Sequence, residues 1–192
     1  MHCKNAPAFC AGALTLGFLG VLLAPGPPAV ADTPDQGYAV MSGQYMYVVK
    51  PPAGWVGDMK NASEYQCDIL IYPQSGKVTQ DTPIVTIALW PKEQSVSVAT
   101  ELHNDMARWS KRYPNTSFQD FAVARKGFQS YAKIYFVPGV YTDYVAYLDP
   151  GAQLPYYFIV SLQPGHRPKA DDFELGALTA IVKSLTPLAT IE

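Results

Sequence analysis

Beyond the N-terminal thirty-one residues the chain keeps two histidines, His103 and His166, and neither stands in a pattern that metal or nucleophilic chemistry requires. A helical metal site needs ligands four residues apart, or a Cys/His cluster. His103 has only Asp105 close by, two residues on and therefore on a different helix face. That spacing predicts an exposed polar helix residue. His166 sits in Gln-Pro-Gly-His-Arg-Pro, a turn, with no partner beside it in sequence. Cys67 alternates with Ile69 and Ile71 and has no adjacent basic residue to lower its pKa, which predicts a small core side chain over a nucleophile. There is no Gly-x-Ser-x-Gly turn and no glycine-rich phosphate loop. The expectation is no catalytic residue, no metal and no cofactor. Acid–base chemistry would need carboxylates brought together from distant segments.

Tyrosine is the residue type with a pattern. All thirteen tyrosines follow residue 31, and seven fall between Tyr131 and Tyr157. In FQSYAKIYFV, Tyr131, Lys133 and Tyr135 share one face of a strand, opposite Ala132, Ile134 and Phe136. In VYTDYVAYLD, Tyr141, Asp143, Val145 and Tyr147 share a face. Tyrosine suits a half-buried pleated surface, and it is also enriched where proteins recognise one another. Tyr131, Tyr135, Tyr141, Tyr144 and Tyr147 are accordingly the candidate partner-binding residues, and ordinary strand packing is the competing use. Arg108, Lys111, Arg112, Arg125 and Lys126 give a basic region whose ordinary reading is a solvated face and whose functional reading is docking to an acidic partner.

The elements that must carry these residues follow from periodicity. QYMYVVK (44–50), YQCDILIYP (65–73) and PIVTIALWP (83–91) read as strands, the last as a central one. Val98, Leu102, Met106, Trp109 and Tyr113 then form one stripe of an amphipathic helix ended by Pro114. Its other face carries Glu101, Asp105, Arg108, Lys111 and Arg112. Four strands follow at 117–125, 128–137, 140–149 and 155–163, joined so tightly that neighbours must run antiparallel. A second helix closes the chain. Asp171 and Glu174 are spaced as a capping box, Leu178, Ile181, Val182 and Leu185 form its buried stripe, and Pro187 stops it. The prediction is an α+β domain built on a single, largely antiparallel β-sheet flanked by helices.

The N-terminus reads as an export signal. Lys4 precedes the uncharged run from Ala8 to Ala24, a Pro/Gly break follows at residues 25–28, and Ala29-Val30-Ala31 offers small residues at the cleavage site. The expected organisation is a cleavable signal over 1–31, a flexible lead-in over 32–43 and one domain over 44–192. Cleavage removes Lys4 from 14 basic and 16 acidic residues, leaving a net charge of −3, which does not suggest nucleic acid as a partner. It also removes Cys3 and Cys10, so Cys67 stands alone and internal disulfides play no part. No later run is long enough to span a membrane. The expected location is secreted or periplasmic.

The opening strand running into Pro-Pro-x-Gly-Trp (Tyr45 to Trp55), the strand Ile84–Trp90 before the first helix, the aromatic strand Phe128–Val137 and the closing helix ending Ile181-Val182-Lys183-Ser184-Leu185 together resemble the PsbP/Mog-type fold family. The resemblance covers roughly residues 44–186. It implies an α/β/α sandwich, an antiparallel sheet flanked by helices, and a habit of docking on larger partners without enzymatic activity. The functional expectation is an exported, non-enzymatic binding or accessory domain that engages a protein or envelope partner. The alternatives are a small hydrolase whose site is assembled from distant residues, and a structural envelope component.

Overall fold

The computed structural model describes residues 37–74 and 77–188, all within the compact unit Thr33–Glu192. The signal read over 1–31 and the start of the lead-in lie outside the described residues.

Short alternating segments open the described chain. β1 (Tyr38–Ser42) and β2 (Tyr45–Val49) form a hairpin across Gly43, whose positive φ of 60° suits the tight turn, with Ser42 opposite Tyr45. β3 (Trp55–Asp58) follows the Pro-Pro-Ala-Gly turn, and a single 3-10 turn (Ala62–Tyr65) leads into β4 (Ile69–Pro73) and β5 (Ile84–Pro91). α1 (Val98–Arg112) comes next, then β6 (Ser117–Asp120), β7 (Gln129–Val137), β8 (Tyr141–Asp149) and β9 (Tyr156–Gln163). α2 (Asp172–Ser184) and the two-residue β10 (Thr186–Pro187) end the described chain.

The α+β class and the antiparallel pairing are as expected, but the single sheet is two. Seven strands lie in the order β3-β4-β5-β9-β8-β7-β6, and β1, β2 and β10 make a separate three-stranded sheet. Every pair in both is antiparallel. Part of the lead-in is therefore structured: Val40 is the buried member of β1, and the strand is held by pairing with β2 instead of by a strong pattern of its own. The segment from Trp55 to Asp58 pairs as β3 on the sheet edge. There Gly57 is needed, because a Cβ would stand 2.8 Å from the Ile69 side chain and 2.9 Å from the Tyr38 ring.

Both helices start where their caps dictate. The Ser97 side chain accepts the Thr100 N–H at 3.1 Å. Asp171 and Glu174 form the expected capping box, each side chain accepting the other's backbone N–H, at 2.9 and 3.0 Å. Glu174 is buried and also paired with Arg167.

The larger core lies on one face of the seven-stranded sheet, under α2 and the small sheet, and joins Tyr47 and Val49 to Phe158, Val160 and Ile181. The smaller core lies on the other face, under α1, and joins Val98 and Leu102 to Tyr135, Val145, Tyr147 and Tyr157. β8 is thus buried on both sides, which explains why six of its nine residues are apolar or aromatic.

Candidate functional site

The register of β7 on β8 places Tyr131 opposite Tyr147 and Tyr135 opposite Asp143. The two tyrosine faces read from the sequence are therefore one continuous surface. α1 lies on it. Tyr135 is fully buried and Tyr147 is 3% exposed, so this face is the seat of the helix and not an open recognition surface. Tyr144 belongs to the opposite face: it packs on Phe121 at 5.6 Å, accepts the Ala170 N–H at 3.2 Å and is 3% exposed. Its place was legible from alternation, since Tyr141, Asp143, Val145 and Tyr147 have the odd positions of β8. Tyr131 and Tyr141 are half-buried, with Tyr141 against Trp109 at 5.3 Å. The five tyrosines do not form one free surface; three are core.

Beneath α1 the structure gathers a polar cluster that the sequence did not announce. Asp105 turns inward and accepts the Tyr135 hydroxyl at 2.8 Å. It also interacts with the Tyr147 hydroxyl and pairs with Arg108 at 3.1 Å. The expected outer position of Asp105 is thereby corrected. The signal was its spacing, three residues after Leu102 and four before Trp109, which puts it at the margin of the apolar stripe. On the sheet side, Asp143 accepts the Ser161 hydroxyl at 2.8 Å and a bond from the Gln163 side chain. Burial pushes the Asp143 carboxyl up to about 7, against the lowering effect of those two donors, and the nearby Asp105 charge adds to the rise. Burial likewise drives the Tyr135, Tyr141 and Tyr147 hydroxyls far up, with the neighbouring carboxylates as a further cause for each. These are neutral hydroxyls, and two of them donate to Asp105.

Two carboxylates from distant segments do converge here, the arrangement acid–base chemistry would need. Both are committed to hydrogen bonds from the sheet's own hydroxyl groups, and Asp143 is buried on the face that α1 covers. The cluster ties α1 to the sheet through Asp105 and Tyr135.

The remaining candidates behave as separate pieces. His103 is exposed. His166 does find a partner, Asp81 at 3.1 Å, across two surface loops that touch at Gly165. Cys67 is half-buried, its Sγ donates to the Ala62 carbonyl at 3.4 Å, and burial together with the Asp68 charge pushes its thiol up to about 12. A thiol so raised stays protonated at neutral pH. Among the described residues no three His, Cys, Asp or Glu side chains are grouped to hold a metal ion.

Two of the clefts formed by the described residues flank α2. One, of about 260 Å³, lies between the Pro52–Trp55 turn and the first turns of α2, with Asp172 as its single carboxylate. Phe173 rims it, 62% exposed, with its ring 5.9 Å from that of the buried Trp55. The other, of about 280 Å³, lies where α2 crosses β7 and β8 and is lined by Phe121, Ile134, Tyr144, Leu175, Leu178 and Lys169 among others. No described helix is long and apolar enough to cross a membrane.

No protein-family model matches the chain, and no curated protein does. Among solved structures the chain is similar to the solution structure of cyanobacterial PsbP (CyanoP) from Synechocystis sp. PCC 6803. The identity is 14% and the TM-score 0.47, over 85% of this chain and 97% of that one.

Proposed function

We propose that the chain is an exported, non-enzymatic accessory domain of PsbP/Mog-like type that docks on a protein partner of the cell envelope. The observation that carries this reading is Phe173. It is a large aromatic side chain, 62% exposed, fixed at the second position of a capped helix and backed by the buried Trp55. A scattered exposed apolar residue needs no explanation, but an aromatic rim on an apolar cleft is the form in which interfaces hold their anchor residues. Pro52, Ala53, Gly176 and Ala177 give the cleft small walls that an apolar partner side chain can enter. Docking is assigned here to Phe173 and the Pro52–Trp55 turn. Tyr131 and Tyr141, the half-buried members of the tyrosine set, lie against the opposite face of the sheet and belong to the seat of α1.

Export rests on residues 1–31. The mature protein should begin at Asp32, and sequencing of the exported form from its N-terminus tests that start. Docking is tested by cross-linked capture from the native exported fraction with wild type and Phe173→Ser. One partner retained by wild type and lost by the variant, at unchanged melting temperature, is the expected result. Equal capture by both proteins would overturn the assignment.

A further inference from the structure

We propose that the cleft where α2 crosses β7 and β8 binds a medium-chain fatty carboxylate, a ligand that the docking reading does not require. Phe121, Ile134, Leu175 and Leu178 make its walls apolar. Two side chains that can donate hydrogen bonds line it. Lys169 lines the cleft and forms no ion pair with any described residue. Tyr144 lines it too. Its oxygen accepts the N–H of Ala170, the residue next to Lys169, so the hydroxyl and that lysine's backbone are held together. The Tyr144 O–H proton has no acceptor among the described residues, and the side chain is 3% exposed. A buried donor of this kind is stabilised by whatever acceptor enters the cleft. Thr179, the other hydroxyl on the wall, is already spent on the Leu175 carbonyl at 2.8 Å.

The walls therefore suit an apolar body, and the unpaired Tyr144 donor with the Lys169 charge on the same lining suits an acceptor with one negative charge. No carboxylate lines the cleft to repel it. The volume sets the scale: 280 Å³ corresponds to about nine groups of water size at roughly 30 Å³ each, comparable to the ten heavy atoms of octanoate.

The test is titration of the full chain with sodium octanoate, with octan-1-ol as the uncharged comparator, followed by calorimetry and amide chemical shifts. Saturable one-to-one octanoate binding with Kd of about 1 mM or tighter is expected, with shifts at Ala122, Lys169 and Thr179. Lys169→Ala should weaken octanoate by about fivefold, the worth of one partly screened ion pair, and leave octanol unchanged. Ala122→Trp, on an exposed wall residue, should fill the cleft and abolish both. The proposal is overturned by absence of saturation at about 10 mM, by binding that survives Ala122→Trp, or by equal loss of octanol and octanoate in Lys169→Ala.

Discussion

Replacing Asp143 with Asn should stabilise this domain at alkaline pH and do little at acid pH. In the folded protein the Asp143 carboxyl is buried and raised from 3.8 to about 7. Between those values the unfolded chain has released a proton that the folded chain keeps, so the unfolded state binds fewer protons and stability falls as pH rises through the window. At 1.36 kcal/mol for each pH unit the whole rise corresponds to about 4 kcal/mol, an upper limit because a charged Asp143 can draw water or shift. About 1 kcal/mol of this has accumulated by pH 4.5 and the rest by pH 8, so the variant's advantage should widen by at most about 3 kcal/mol over that interval. Asn keeps an oxygen for the Ser161 hydroxyl, and the Gln163 amide can turn to accept from the new NH₂. The assay is urea unfolding followed by tryptophan fluorescence at pH 4.5 and 8.5, for both proteins. Comparing wild type with variant at each pH removes other titrating groups, including Asp68, which burial also raises. A variant equally less stable at both pH values would show that Asp143 is not a buried acid and would refute the reasoning.

Three further outcomes follow from the same packing. Tyr135→Ser should cost about 3–5 kcal/mol, as for removal of a buried aromatic ring, and Tyr135→Phe about 1–3 kcal/mol, for the lost donor to Asp105. Differential unfolding of the pair measures both, and a Ser variant with unchanged melting temperature would return Tyr135 to the surface. Gly165→Ala should destabilise by about 1–3 kcal/mol because φ is +67° and the new Cβ would stand 2.6 Å from the Asp81 carbonyl oxygen, parting the loops that hold the His166–Asp81 contact; urea unfolding of both proteins measures the loss, and an equally stable variant would contradict it. Cys67 should resist iodoacetamide at pH 8 in the folded protein and react on unfolding, since its thiol is pushed up to about 12. Rapid labelling of the native protein would contradict that placement.

The sequence made the strands' faces legible wherever a strand is long. Alternation in β7 and β8 put Tyr131 with Tyr135 and Tyr141 with Tyr147, and the register confirms that each pair shares a side. The Asp171–Glu174 capping box and the stripe from Val98 to Trp109 were equally readable, because caps and helical periods are local. What covers a face is not local. α1 could have lain on either side of the sheet, and its seat on the tyrosine face turned a recognition surface into a core. The inward turn of Asp105 depends on the same docking, since its acceptor role exists only once Tyr135 and Tyr147 lie beneath it. Short edge strands were lost for a different reason. β3 spans four residues including Gly57, and β10 spans two including Pro187, so pairing with β4 and β2 defines them more than their own composition does. Phe173 was visible as an aromatic outside the Leu178–Leu185 stripe, and that misfit was the one sequence signal for the groove it rims.

Docking through the Phe173 groove is tested most directly by photo-crosslinking in the native exported fraction. A photoreactive phenylalanine analogue is placed at Phe173, in the first turn of α2, or at His103, exposed on α1 across the sheet. The docking reading predicts one covalent partner adduct from position 173 and none from position 103. Adducts from both positions alike, or from position 103 alone, would contradict it.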